Sequence, residues 1–449
     1  MTTEVVVMNR AGVALAADSA VTVDMGQSSK VRDSALKVFM LSKYRPVGVM
    51  VYNNASLLGV PLETAIKLFR KELGRTGHAN LENYGDALVD FLENHRRLFP
   101  EVAQDRYFVA ALEVEYERIA DLVEKALASG VYGSGGEEEQ ETAAETANRV
   151  VEERLAFWEG LDDADYYKVD AGDIVGRNSG VVHGVIDRMF LGWTGLSDEA
   201  RRHLYKIAEN LVGKDYFPPD VFTGLVIAGF GEDEHYPVVQ HLQVGGMYGN
   251  RLKVRPQTLH EVSDAVPSEV LSFAYRDMVD GFLDGISPAV FEHLGDVAAF
   301  IREMPVRALD GVAGIAPEAK EKAAEIILQE SSRKAAEFAR NVLRGARARR
   351  GQIDQAVEML SLKELAQVAS TLVGLSSFEH QMSLDREMVG GPVDVAVVSK
   401  GDGFIWIDRK HYFPKELNNH FFENYFDGVA EGDEDVVREE EEEETSDGE

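Results

Sequence analysis

From its first residues the chain sets short apolar runs between tight polar breaks. EVVVMNR and GVALAAD meet across Arg10–Gly12, and KVFMLS and VGVMVY are separated by KYRP, so the spacing predicts two pairs of β-strands. The period then changes. In SLLGVPLETAIKLFRKELG, Leu62, Ile66 and Phe69 recur at helical intervals and basic residues close the segment, predicting a helix buried along one face.

Helical spacing continues in FVAALEVEYERIADLVEKALAS and ETANRVVEERLAFWEGL, with a glycine- and glutamate-rich linker, GVYGSGGEEEQE, between them. Strand patterns return in VFTGLVIAGFG and YPVVQHLQV, and MYGNRLKV reads as a short extension. Two long helical stretches follow, AAEIILQESSRKAAEFARNVLRGARARR and EMLSLKELAQVASTLVGLSSFEHQM, before VDVAVVS and FIWIDRK close the pattern around KGDG. No tandem repeat is visible. Strands at both ends and in the middle, with helices between, predict an α+β fold of stacked sheets flanked by helices. The expected division makes 1–75 and 220–426 two parts of one core, 76–219 a helical insertion and 427–449 a tail.

Charge changes this picture at one end. Of the net −32, the segment from Asp427 onward supplies −12, with thirteen acids against one arginine and almost nothing apolar to bury. The expectation is a disordered acidic C-terminal tail that solubilises, docks or regulates. An acidic chain repels phosphate backbones, so nucleic acid is excluded as a first reading. One predicted helix runs against the trend: Arg333, Lys334, Arg340, Arg344, Arg347, Arg349 and Arg350 make it basic, either as a solvated or subunit-facing helix or as a receiver of the tail.

There is no cysteine, which removes disulfides, thiolate metal sites and cysteine nucleophiles. No apolar run approaches the ~18 residues of a membrane span, no secretory signal is recognisable, and a cytoplasmic protein is expected. His235, His241 and His260 form no ligand pattern, and Asp162, Asp163 and Asp165 read as a solvated loop, so no metal is expected. No phosphate-cradling glycine motif is present, and no cofactor is expected.

The candidate chemistry lies at the start. A threonine freed at its amine couples nucleophile and base: the hydroxyl attacks a carbonyl while its own α-amine, of reference pKa about 7.7–8.0, takes the proton. The scheme needs a lysine to lower the hydroxyl's proton affinity, a carboxylate to hold that lysine, and backbone N–H groups for the oxyanion. Thr2 behind Met1, Asp18 at the end of the second strand and Lys37 at the start of the next supply these parts in order.

TTEVVVMNRAGVALAADSAVT resembles the start of mature catalytic β subunits of proteasomes and of the related bacterial HslV peptidase. Asp18 stands at that family's distance from Thr2, and KVF resembles its lysine-bearing strand displaced by about three residues. GLVIAGFGEDEHYPVVQHLQVGGMYG resembles its central hairpin, and VGGPVDVAVVSKGDGFIWI its last pair of strands. Together these segments fall in roughly residues 2–75, 220–250 and 355–410, under half of the chain. The resemblance implies the four-layer αββα sandwich of N-terminal nucleophile (Ntn) hydrolases, here with a helical insertion. It implies Thr2 as nucleophile, Lys37 as its tuning cation and Asp18 as the partner of Lys37. Asn53 or Asn54 stands where the family has an oxyanion glycine, and asparagine tolerates the left-handed backbone better than most residues. Asp385 corresponds to a supporting aspartate. Ser263 and Ser268 are the candidates for an additional serine, read first as helix-cap or loop residues. The implied activity is a threonine-type peptidase acting on peptides or proteins, in homo-oligomers, with an ATPase partner left open. A catalytically inactive proteasome-like scaffold and a small-molecule amidase or acylase are the alternatives.

Overall fold

The computed structural model describes residues 3–24, 29–32, 35–131, 142–190, 196–218, 222–312, 314–382, 390–411 and 413–420. Thr2, Asp385, the linker at 132–141 and the acidic tail lie outside the described residues. Among the described residues, those up to Ile407 form one compact unit and those from Asp408 a second.

The chain opens with β1 (Thr3–Asn9), β2 (Gly12–Ala17), β3 (Val21–Asp24), β4 (Ser29–Arg32), β5 (Val38–Met40) and β6 (Val47–Asn53). A small hairpin, β7 (Ser56–Leu57) and β8 (Val60–Pro61), leads into α1 (Leu62–Leu73) and α2 (Leu81–Asn94). Five helices follow: α3 (Glu101–Val131), α4 (Ala143–Glu159), α5 (Ala171–Arg177), α6 (Ser179–Met189) and α7 (Asp198–Gly213). Strands resume as β9 (Thr223–Gly229), β10 (Val238–Tyr248), β11 (Arg251–Glu261) and β12 (Ser268–Ala274). The chain then forms α8 (Asp277–Asp284), α9 (Pro288–Glu292), α10 (Leu294–Asp310), α11 (Pro317–Glu358) and α12 (Leu362–Met382), then β13 (Asp394–Ser399) and β14 (Gly403–Asp408).

Among the described residues these strands build two five-stranded sheets, in the orders β12-β1-β2-β13-β14 and β11-β10-β9-β6-β5. β1 and β2 are buried at every position, which their unbroken apolar runs require only if both faces are covered. On one face Val5, Val7, Ala14 and Ala16 pack with Leu365, Ala369 and Val373 of α12 and with Val279 of α8. On the other the sheets meet directly: a Cβ on Gly48 of β6 would come within 3 Å of Leu15 in β2 and of the Phe404 ring in β14. The second sheet turns Val49, Val51, Leu225 and Ile227 toward α1 and α2, where Ile66, Phe69, Leu88 and Leu92 cover them.

Two strands differ from expectation. The short extension after β10 is an eleven-residue strand, β11. Ser268 is neither a cap nor a loop residue but the first residue of β12, which pairs antiparallel with β1. Its hydroxyl donates to the Asp354 carbonyl at 2.6 Å, and that of Ser272 to Asp280 Oδ1 at 2.6 Å. Buried serines with satisfied hydroxyls fill inward positions that an apolar count passes over.

Helices α3–α7 close around a core of their own, with Phe108, Tyr116, Trp158, Ile186 and Leu204 at its centre. Within it Glu115 accepts both Arg154 Nε at 2.6 Å and Arg154 Nη2 at 3.0 Å, and Trp158 Nε1–H at 2.7 Å. Helices α9–α11 are different: no described residue of α10 is buried, and those of α11 are Ser331, Ala335, Ala346 and Val357.

Candidate active site

Pairing of β1 with β2 sets Glu4 opposite Ala17, so the chain leaving β2 brings Asp18 beside Thr3. The Asp18 N–H donates to the Thr3 carbonyl at 3.3 Å, and the Thr3 N–H donates back to Asp18 Oδ1 at 3.1 Å. Lys37, immediately before β5, reaches across from the second sheet. Its ammonium donates to Asp18 Oδ1 at 2.8 Å and to the Ala20 carbonyl at 2.6 Å.

The remaining oxygen of Asp18 is also held. Oδ2 accepts the N–H groups of Gly390 at 3.0 Å and Ala20 at 3.3 Å. Asp18 is 0% exposed and Lys37 3%. Burying two charges is costly unless each lone pair and proton has a partner, and the carboxylate here meets three backbone donors and one cation. The loop before β13 is tied to the same turn, with the Ser19 N–H donating to the Gly390 carbonyl at 3.2 Å and the Ser19 hydroxyl to the Pro392 carbonyl.

Asn53 ends β6 on the same side of the second sheet. The Val51 N–H donates to the Lys37 carbonyl at 2.9 Å, which places Asn53 two residues beyond the Lys37 register. Its φ is +65°, the left-handed conformation the sequence allowed for at this position, and its side-chain amide donates to the Phe222 carbonyl at 2.8 Å. The neighbouring Asn54 instead supports a turn, accepting from the Ser56 N–H at 3.1 Å. Asp18, Lys37 and Asn53 therefore share one end of the paired sheets, whereas Ser263 stands apart in a turn after β11, bonded to Val266.

Behind this end lies a polar seam that the sequence did not single out. Glu4, opposite Phe273 of β12, is fully buried, and neither carboxyl oxygen has a hydrogen-bond partner. Burial pushes its pKa well above the carboxylate range, with nearby Lys37 opposing and Asp18 reinforcing the shift. Tyr52 Oη lies 2.7 Å from His241 Nε2. This contact spans β9 because Gly224 occupies the intervening position: a Cβ there would sit 1.9 Å from the Tyr52 ring. Burial lowers the His241 pKa to about 4, helped by the charges of His260, Arg276 and Arg255. Burial, with the Glu4 charge second, raises that of the Tyr52 phenol. Phe273 covers both rings, 5.2 Å from His241 and 6.3 Å from Tyr52 between centroids.

The histidines weighed as metal ligands, and Asp163 among the aspartates, have other partners. His260 meets Glu269 at 3.0 Å, Asp163 meets Lys214 at 2.8 Å, and no group among the described residues is arranged to hold a metal ion. Nor is any helix among them long and apolar enough to cross a membrane.

No family model matches the chain, and no curated protein matches it at a significant level. Among solved structures it is similar to Anbu from Hyphomicrobium sp. strain MC1, with 10% identity over 97% of each chain and a TM-score of 0.26. A Gly-1 mutant of that Anbu gives 10% identity over 98% of this chain and 97% of that one, with a TM-score of 0.28. Anbu from Yersinia bercovieri, titled an ancestral beta-subunit, gives 11% identity over 98% and 97%, with a TM-score of 0.28. TM-scores this low support no argument about fold or activity.

Proposed function

We propose that the chain is a proteasome-like threonine hydrolase that cleaves amide bonds, peptide bonds foremost, after Met1 has left Thr2. One observation carries this reading: a single buried carboxylate, Asp18, accepts both the Lys37 ammonium and the N–H of Thr3, the residue directly after the candidate nucleophile. A purely structural ion pair has no need to hold the backbone next to Thr2. The finer fold belongs to the same reading. Directly apposed sheets with α8 and α12 outside one and α1 and α2 outside the other support the four-layer αββα arrangement of Ntn hydrolases. On it, residues 1–75 and 220–426 make the core, 76–219 the insertion, whose first helix α2 lies on the core sheet, and 427–449 the tail, in a cytoplasmic homo-oligomer.

The chemistry follows from the groups available. The Thr2 hydroxyl oxygen bonds to the substrate carbonyl carbon while its proton passes to the Thr2 α-amine. Lys37, fixed by Asp18, lowers the proton affinity of that hydroxyl. The left-handed turn at Asn53 offers a backbone N–H for the oxyanion. Collapse breaks the C–N bond, and the leaving amine takes the proton from the α-ammonium. Water then gives a proton to the α-amine and attacks the ester, releasing the acid and restoring the hydroxyl.

Intact mass of the full-length protein, with and without a peptide epoxyketone, tests the reading, because this warhead bridges a threonine hydroxyl and its own amine. The expected result is a chain lacking Met1 that gains one adduct, lost in Thr2→Ala with an unchanged circular-dichroism spectrum. A chain that retains Met1 would overturn the mechanism and leave the scaffold.

A further inference from the structure

We propose that Glu4 is a positioning residue for the reaction of Thr2: as a neutral acid it leaves the Lys37 ammonium to Asp18 and to the threonine hydroxyl, and once ionised it draws that charge toward itself. The role rests on the hydrolase reading and adds to that site a regulation by pH.

Strand register puts Glu4 beside the ion pair. β1 sets it opposite Phe273 of β12 on one side and Ala17 of β2 on the other, and Ala17 in turn stands opposite Asp394 of β13. Residues directly opposite share a face of the sheet. Val5, Val7 and Val395 belong to the core under α12, so alternation turns Phe273, Glu4, Ala17 and Asp394 inward, toward the second sheet. Asp18, the next residue after Ala17, holds Lys37 there.

One lysine thus stands near two carboxyl groups and serves one of them. Lys37 donates to Asp18 and to the Ala20 carbonyl, whereas both oxygens of Glu4 are buried without a hydrogen-bond partner. Asp18 is satisfied as an anion by the ammonium and three backbone N–H groups. Glu4 has no donor and lies next to that anion, so it keeps its proton. Packing gives no reason for an acid here. Val5, Val6 and Val7 continue the same strand fully buried, and a fourth valine would bury without desolvating a carboxyl group.

The other groups around Glu4 supply no counter-charge. Tyr52 of β6, which feels the Glu4 charge, is bonded to His241 of β10, and burial keeps both neutral near pH 7. Arg276, beyond the end of β12, turns to Asp280 at 3.0 Å. Asp394, across Ala17, is a further acid. Loss of the Glu4 proton would therefore act on Lys37. A second carboxylate beside the ammonium raises its proton affinity and divides its field, so the Thr2 hydroxyl gives up its proton less readily. The neutral acid is the reactive state, and its ionisation is a brake applied by rising pH.

The test follows adduct formation between the full-length chain and the peptide epoxyketone, by intact mass against time and pH. Glu4→Gln keeps the shape of the side chain and cannot ionise. The ratio of its rate to that of wild type should climb with pH, reaching on the order of tenfold at the alkaline end. Titration of the α-amine is common to both chains and cancels in the ratio. Glu4→Asp, which still ionises, should restore the wild-type slope. Infrared spectra of the wild-type chain read the proton without any reaction and stand whether or not the variants fold. With isotope-labelled glutamate, a shifted band of a protonated carboxyl group is expected at about pH 6, where ordinary glutamates are ionised, and should fade as pH rises. A rate ratio that stays flat with pH would overturn the proposal, and so would absence of that band. The band without any adduct on wild type, at any pH, would overturn the hydrolase reading and the role of Glu4 with it.

Discussion

The two helical regions of this molecule carry the same kind of periodicity and bury different things. Helices α3–α7 turn Trp158, Tyr116 and Phe108 onto one another and lock the centre with the Arg154–Glu115–Trp158 hydrogen bonds. Helices α9–α11 leave Phe300, Met304 and Ile326 facing solvent. An apolar stripe reports that a helix has a face to cover; it does not report whether the cover comes from the same chain.

Mutation breaks the comparison most sharply at its sealed end. Trp158→Ala opens a large cavity and leaves Glu115 short of a donor, so a loss of about 3–5 kcal/mol is expected in denaturant unfolding. A loss below about 1 kcal/mol would mean that the region is not sealed as described. The sheets should behave like the sealed helices. Lys37→Met strands a buried carboxylate, but Asp18 keeps the N–H groups of Thr3, Ala20 and Gly390, so about 3 kcal/mol is expected, at the low end for a broken buried pair. Under the proposed function it also abolishes the epoxyketone adduct.

Glu4→Gln gives a smaller effect with a definite sign. Burial holds Glu4 protonated in the native state, while the unfolded chain ionises from about pH 4.3 upward. Wild-type stability through this group is therefore full below about pH 4.3 and falls as pH rises toward the raised native value. The variant cannot ionise, so its stability relative to wild type should climb as pH rises above about 4.3 in thermal melts. A gap that stays flat as pH rises would show that the Glu4 pKa is not raised in the native state. Subtracting the two curves cancels His241, whose lowered pKa of about 4 works the other way and costs stability as pH falls below about 6.5. Least affected should be helices α9–α11: Phe300→Ser is expected to change unfolding stability in dilute protein by no more than about 0.5 kcal/mol. A loss as large as that of Trp158→Ala would mean that these helices are packed within their own chain.

How much was legible follows the same division. β1, β2, β9, β10, β13 and β14 stand where apolar runs and glycine-marked turns put them. Their covers are α1 and α12, whose spacing was plain. β12 was not legible, because serines occupy two of its four buried positions and are satisfied by Asp354 and Asp280, partners that only the fold brings near. At the candidate site, the order Thr2, Asp18, Lys37 could be read because strand ends carry it. The Asp18–Lys37 contact and the left-handed Asn53 agree with that order, while Thr2 and Asp385 lie outside the described residues. The Tyr52–His241 bond joins residues 189 positions apart through the gap at Gly224, and no local pattern encodes it. Glu4 sits among valines with no spacing signal at all. Local rules describe elements; the seam between the sheets exists only after they meet.

The strand order has a consequence in time. β2 pairs with β1 almost as soon as both are made, but its other edge takes β13, which begins at Asp394. At about 5–20 residues per second, a ribosome needs roughly 20–80 s to deliver that partner. Throughout that interval Asp18 lacks the Gly390 N–H and one edge of the innermost strand stands open, so residues 390–399 decide when residues 12–18 are finished.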